Sequence, residues 1–173
     1  NGNPESWPTQ LAGIGTMGWW NVYNTAVGGD LAAAIVVQFT DAGKPYWPTV
    51  TRVPSVLWVH AGPPDMENGA TGASVYDIIA PMLASAKSMG FNVGVTQNWY
   101  NTDYPNADAQ FAAYNSLVAA DPSVTPGLVF DGHATFPNPG VGPNFVSSYH
   151  LSTAGYAIYA NAVYGLLQSG GLV

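Results

Sequence analysis

The chain has 173 residues, a length that fits one domain, and 47% of them are hydrophobic, ample for a core. Only 8% are charged, and at a formal net charge of -7 the basic residues are Lys44, Arg52 and Lys87, too few for a phosphate-binding stripe, so nucleic acid is excluded as a partner. No apolar run approaches the roughly 20 residues of a helical bilayer span, so no membrane partner is expected either.

Absence of cysteine leaves the redox compartment open. Surface polarity must come from Asn, Thr, Ser, Gln and Gly, a composition that points to an extracellular or particle-surface location. The sequence starts at Asn1-Gly2-Asn3-Pro4 without an initiator Met or a signal peptide, so a segment upstream of it is expected.

In chain order, Asn21 to Val27 alternates polar and apolar residues before Gly28-Gly29, which predicts a strand and a turn. Taken alone, the two glycines are a tight turn that needs positive φ. Asp30 is placed to cap a helix over Leu31 to Phe39. Pro45, Pro48 and Pro54 then punctuate a loop, and Ser55 to His60 is an apolar run of the kind buried on both faces of a sheet, stopping at Gly62-Pro63-Pro64. After Ser74, the residues Val75, Ile78, Ile79, Met82, Leu83 and Ala86 recur at spacings of three and four, a helical face ending at Gly90. Phe91 to Thr96 predicts a strand, Ala107 to Ala120 an amphipathic helix with Phe111, Tyr114, Leu117 and Val118 on one side, and Leu128 to Phe130 a last strand. A helix from Thr153 to Gln168 closes the chain.

Strands alternating with helices predict an α/β fold, a three-layer α/β/α domain with a parallel sheet spanning residues 1–173. Functional residues collect at the carboxyl edge of such a sheet, where the loops after Val27, after His60 and before His150 would meet. His60 and His133, with Asp65 or Asp131, lack the spacing of a metal site, so neither metal nor cofactor is expected. Trp47, Trp99 and Tyr100 fall in loops beside Asn and Asp, where aromatic rings serve to stack on sugars, to anchor a protein surface or to roof the core.

The segment His150-Leu151-Ser152-Thr153-Ala154-Gly155-Tyr156 resembles the C-terminal block of the SGNH, or GDSL-type, hydrolases, in which Asp-x-x-His-Leu-x-x-x-Gly-Tyr supplies an acid and a base. Tyr23 to Gly29 is similar to that family's second block, and Val56 to Met66 to its third, an apolar strand followed by Gly-x-Asn-Asp. Asn3 to Leu11 looks like the stretch that follows the nucleophile. The resemblance covers essentially the whole chain in block order and implies a flavodoxin-like, SGNH hydrolase-like domain. It further implies His150 as catalytic base and Gly28 or Gly29 as a backbone donor to an oxyanion.

The departures bear on activity. The Gly-Asp-Ser block is missing, with its strand and nucleophile, which leaves both upstream of residue 1. The third-block Asn falls at Pro64, which has no side-chain donor and no N–H. The acid three residues before the histidine falls at Ser147, and Asp131 is the candidate to replace it. Loss of one oxyanion donor costs about two to three decades in rate and loss of the orienting acid up to about four. The expected role is therefore a degenerate module of carbohydrate-ester esterase ancestry, structural or glycan-binding, on a virion, filament or cell surface. The alternative is an active serine esterase whose nucleophile lies upstream. Because the family's first strand is interior, its place is expected to be filled by an upstream fragment, a neighbouring subunit or a rearrangement of the chain.

Overall fold

The computed structural model describes residues 7–15, 27, 29–43 and 54–173. Three parallel strands, β1 (Val56–Val59), β2 (Asn92–Gln97) and β3 (Val129–Asp131), lie in that order, with Leu57 opposite Val93 and Val95 opposite Val129. The strand expected over 21–27 lies outside the described residues apart from Val27.

Alternation along β2 divides the interior in two. Val93 and Val95 project into one core, built with Val75, Ile79 and Leu83 of α4 (Gly72–Ser88) and Phe111, Tyr114 and Val118 of α5 (Asp108–Ala119). Gly94 and Thr96 face the opposite side. There Leu128 and Phe130 pack with Leu11 of α1 (Trp7–Ala12) and with Tyr159, Val163 and Leu167 of α7 (Thr153–Ser169). The sheet is thus covered on both faces, as the continuous apolar runs of its strands require. Gly94 has a steric reason: a Cβ there would lie 2.3 Å from Cε3 of Trp58.

The remaining helices are α2 (Ala32–Gln38), which continues into a π-helical turn over Phe39–Gly43, and two short ones, α3 (Pro63–Glu67) and α6 (Gly132–Thr135). α2 packs on α4 in the first core. The cap expected from Asp30 is supplied from elsewhere. The residue before α2 is Leu31, which offers no side-chain acceptor, and the Ala32 N–H donates instead to Asp65 Oδ2 of α3 at 2.9 Å, while the Asp30 carboxylate accepts from the Gln38 amide. α4 starts two residues ahead of Ser74 because Thr71 Oγ1 accepts the Ser74 N–H at 3.1 Å, and it ends before Gly90 at φ 90. No described helix is long and apolar enough to cross a membrane.

Candidate active site

Three loops meet at the carboxyl edge of the sheet. β1 runs out into His60 and Ala61, then turns at Gly62, whose φ of 106 only glycine adopts without strain, into α3. Pro63 and Pro64 occupy the first turn of α3, where a missing N–H is tolerated. Neither proline offers a backbone N–H at this helix start.

The loop after β2 is clamped by two amides. The Asn98 N–H donates to Asn115 Oδ1 at 2.7 Å, Asn115 Nδ2 donates to Asn98 O at 2.8 Å, and Asn98 Nδ2 donates to Ala61 O at 2.9 Å, tying this loop to the one after β1. Trp99 follows, 3% exposed. Its indole N–H donates to Tyr149 O at 2.9 Å, and its ring stacks on Tyr149 at 5.1 Å with Phe136 and His60 each 5.2 Å away. The Tyr149 hydroxyl stands 3.3 Å from His60 Nε2.

Burial controls the protonation of this cluster. It pushes the His60 imidazole down to about 4, and the hydrogen bond with the Asn98 side chain, which favours the imidazolium, is the weaker influence. Burial, followed by the Glu67 charge, holds the Tyr149 phenol well above its usual value. Between a protonated phenol and a neutral imidazole, the direction of this contact follows the ring's tautomer.

Tyr149 anchors the segment that carries His150. Phe145 and Leu151 form an antiparallel bridge, the Val146 N–H donates to His150 O at 2.9 Å and the Ser152 N–H to Asn144 O at 2.8 Å. Ser152 caps α7 by accepting the Gly155 N–H at 3.2 Å and donates its own hydroxyl to Pro143 O at 2.6 Å. Gly155 is required by contact, since a Cβ there would lie 2.2 Å from Asn144 O. His150 is exposed at the edge of a shallow hollow formed with Val146, Leu151, Ala154 and Tyr156. Its Nδ1 lies 2.9 Å from Ser147 Oγ, and its backbone N–H donates to the same oxygen at 3.2 Å.

The other sequence candidates disperse. Asp131 caps α6, its Oδ1 accepting the Ala134 N–H at 2.8 Å, a use that any Asp at a strand-to-helix junction invites. Trp99 is buried under Tyr149 and Phe136, so it roofs the core and offers no face to a sugar. Tyr100 is half-buried with its ring 4.3 Å from His133. Gly29 sits exposed at φ 81 in the turn that brings the Asp30 N–H to Val27 O, while Gly28 and Trp47 lie outside the described residues.

The exposed aromatic of the loop after β2 is Tyr104, 46% exposed, which the sequence reading passed over. It lines a second hollow with Glu67, Asp103 and Gln110. The Ser148 hydroxyl donates to the Asp103 carboxylate, joining this hollow to the His150 loop. The signal was its place among Asn101, Asp103 and Asn106, next to the aromatic pair that drew attention first.

This architecture is the fold of the SGNH/GDSL hydrolases. The structure superposes on the psychrotrophic esterase EstA from Pseudoalteromonas sp. with a TM-score of 0.72 at 9% identity, over 96% of this chain and 88% of that one. It matches a member of the lipolytic G-D-S-L family from Veillonella parvula with a TM-score of 0.74 at 17% identity, covering 97% and 90%. An acetyl xylan esterase, AlAXEase, gives 0.71 at 14%, covering 94% and 91%. Agreement at such identities is agreement of fold. No protein-family model matches the sequence, and no curated protein does.

Proposed function

We propose that this chain is a degenerate esterase-lineage domain that holds a neutral carbohydrate ester or glycan at the carboxyl edge of its sheet without hydrolysing it, as a surface, virion or filament module. The observation that carries this reading is Ser147 on Nδ1 of His150, where a catalytic imidazole needs a carboxylate to stabilise its charged form. Pro64 adds the loss of an oxyanion donor, and neither replacement depends on what precedes residue 1. The polar hollow with Tyr104, Glu67, Asp103 and Gln110 supports a ligand rich in hydroxyls: it pairs an aromatic face with carboxylate and amide partners and has no cation among the described residues of its lining. Hydrolysis of p-nitrophenyl acetate by the full-length protein is expected to show no turnover that depends on His150. An active parent whose rate falls in His150→Ala would overturn the reading.

A second reading is favoured by the likeness to two esterases and a lipolytic protein over nearly the whole chain. Here the nucleophilic serine lies upstream of Asn1 and His150 serves as its base. A fluorophosphonate probe decides between them, labelling an upstream serine of the full-length protein only in the second case.

A further inference from the structure

We propose that Ser147 sets the tautomer of His150, placing the ring proton on Nε2, so that the imidazole presents a hydrogen-bond donor to its hollow instead of a basic lone pair. Ser147 Oγ already accepts the His150 backbone N–H at 3.2 Å, and it lies 2.9 Å from Nδ1. A hydroxyl carries one proton, and among the described residues Nδ1 is the acceptor that Ser147 Oγ–H reaches. Donation from Oγ occupies the Nδ1 lone pair, and a neutral imidazole must then hold its own proton on Nε2.

A carboxylate at position 147 would do the reverse. It has no proton to give, so it accepts one from Nδ1–H and leaves Nε2 as a lone pair able to take a proton from a nucleophile. The exchange of acid for serine therefore inverts the ring without moving it. What the hollow offers is an N–H, and the ligand chemistry that fits is an acceptor oxygen without a proton to surrender, such as the carbonyl of an acetyl or other neutral ester. That ligand assignment rests on the function proposed above, whereas the tautomer does not.

The loop keeps the pair in register. Tyr149, between Ser147 and His150, is held by the Trp99 indole N–H on its carbonyl and by the stacking of the two rings, and the Val146 N–H closes on His150 O. Ser147 is thus a positioning residue, acting on ligand through the ring beside it.

The test is spectroscopic. In protein carrying ¹⁵N-labelled histidine at mildly alkaline pH, with His150 assigned by the signals missing from His150→Gln, Nδ1 should resonate as the unprotonated, pyridine-like nitrogen and Nε2 as the protonated one. Ser147→Thr should keep this pattern, Ser147→Ala should lose the preference, and Ser147→Asp should reverse it. A protonated Nδ1 in the wild type, or a wild-type pattern unchanged in Ser147→Ala, would overturn the proposal even if Ser147→Asp failed to fold. Titration with triacetin separates the two layers: a shift of the His150 Nε2–H signal supports the ester-binding hollow, and no shift with the tautomer intact refutes that assignment alone.

Discussion

His60 shows how one half-buried side chain makes stability depend on pH. Its imidazole is lowered to about 4 from an ordinary 6.5 because burial beside Trp99 and Tyr159 disfavours the charged ring. Between those values the unfolded chain binds the proton more tightly than the folded one, so stability rises with pH across this window. His60 contributes its full stability above about pH 6.5, loses it as pH falls through the window, and has lost it below about pH 4. Urea unfolding at neutral and mildly acidic pH should show a steeper acid loss for the wild type than for His60→Gln; equal slopes would contradict this. The same residue scale shows what sequence could not resolve. The sequence offers Asp131 as a candidate acid, yet an aspartate preceding a glycine serves equally as a helix cap, and the Ala134 N–H on its Oδ1 shows that second use. For Trp99 a place in a loop leaves sugar stacking, a protein surface and a roof over the core all open, and the choice falls to the third because the loop is folded beneath Tyr149, a contact 50 residues away along the chain.

At the scale of elements, apolar spacings of three and four made α4, α5 and α7 legible, and short apolar runs bounded by turn residues did the same for β1, β2 and β3. α3 and α6 escaped because a helix of four or five residues has no period to detect. The α2 cap escaped because Asp65, 33 residues away, provides it. The final block shows the opposite case, a motif whose residues have structural reasons of their own. Ser152 caps α7 and holds Pro143 O, and Gly155 makes room for Asn144 O, so the Leu-Ser-Thr-Ala-Gly-Tyr sequence is explained by packing before chemistry is invoked. Ser152→Ala should cost about 1 kcal/mol, the ordinary value of a lost cap, and Gly155→Ala about 1–3 kcal/mol from the forced displacement of the 144 carbonyl. Both are read from urea midpoints, and a Gly155→Ala protein as stable as the wild type would show that the close approach relaxes without cost.

For the molecule as a whole, the carboxyl edge of the sheet is where the two cores differ in what they support. Asn98 and Asn115 lie over the α4–α5 side, while Trp99, Phe136 and Leu151 belong with Leu128, Phe130 and Tyr159 to the α1–α7 side. The architecture itself was legible from the alternation of strands and helices. The allocation of loops to cores was not, because it depends on which way the aromatic rings turn after the strands end. The 144–152 loop closes on itself through the Val146 and Ser152 amides and leans on the second core. These amides should therefore open on the timescale of α7 and independently of α4. Native-state hydrogen exchange in low urea would show it, with Val146 and Ser152 exchanging in step with the amides of α7; exchange in step with α4 would contradict it. The His150 loop then behaves as a passenger of the last helix, so the residence of a ligand of the kind proposed for the hollow would be governed by how often that helix loosens from the sheet, a clock set away from the imidazole itself.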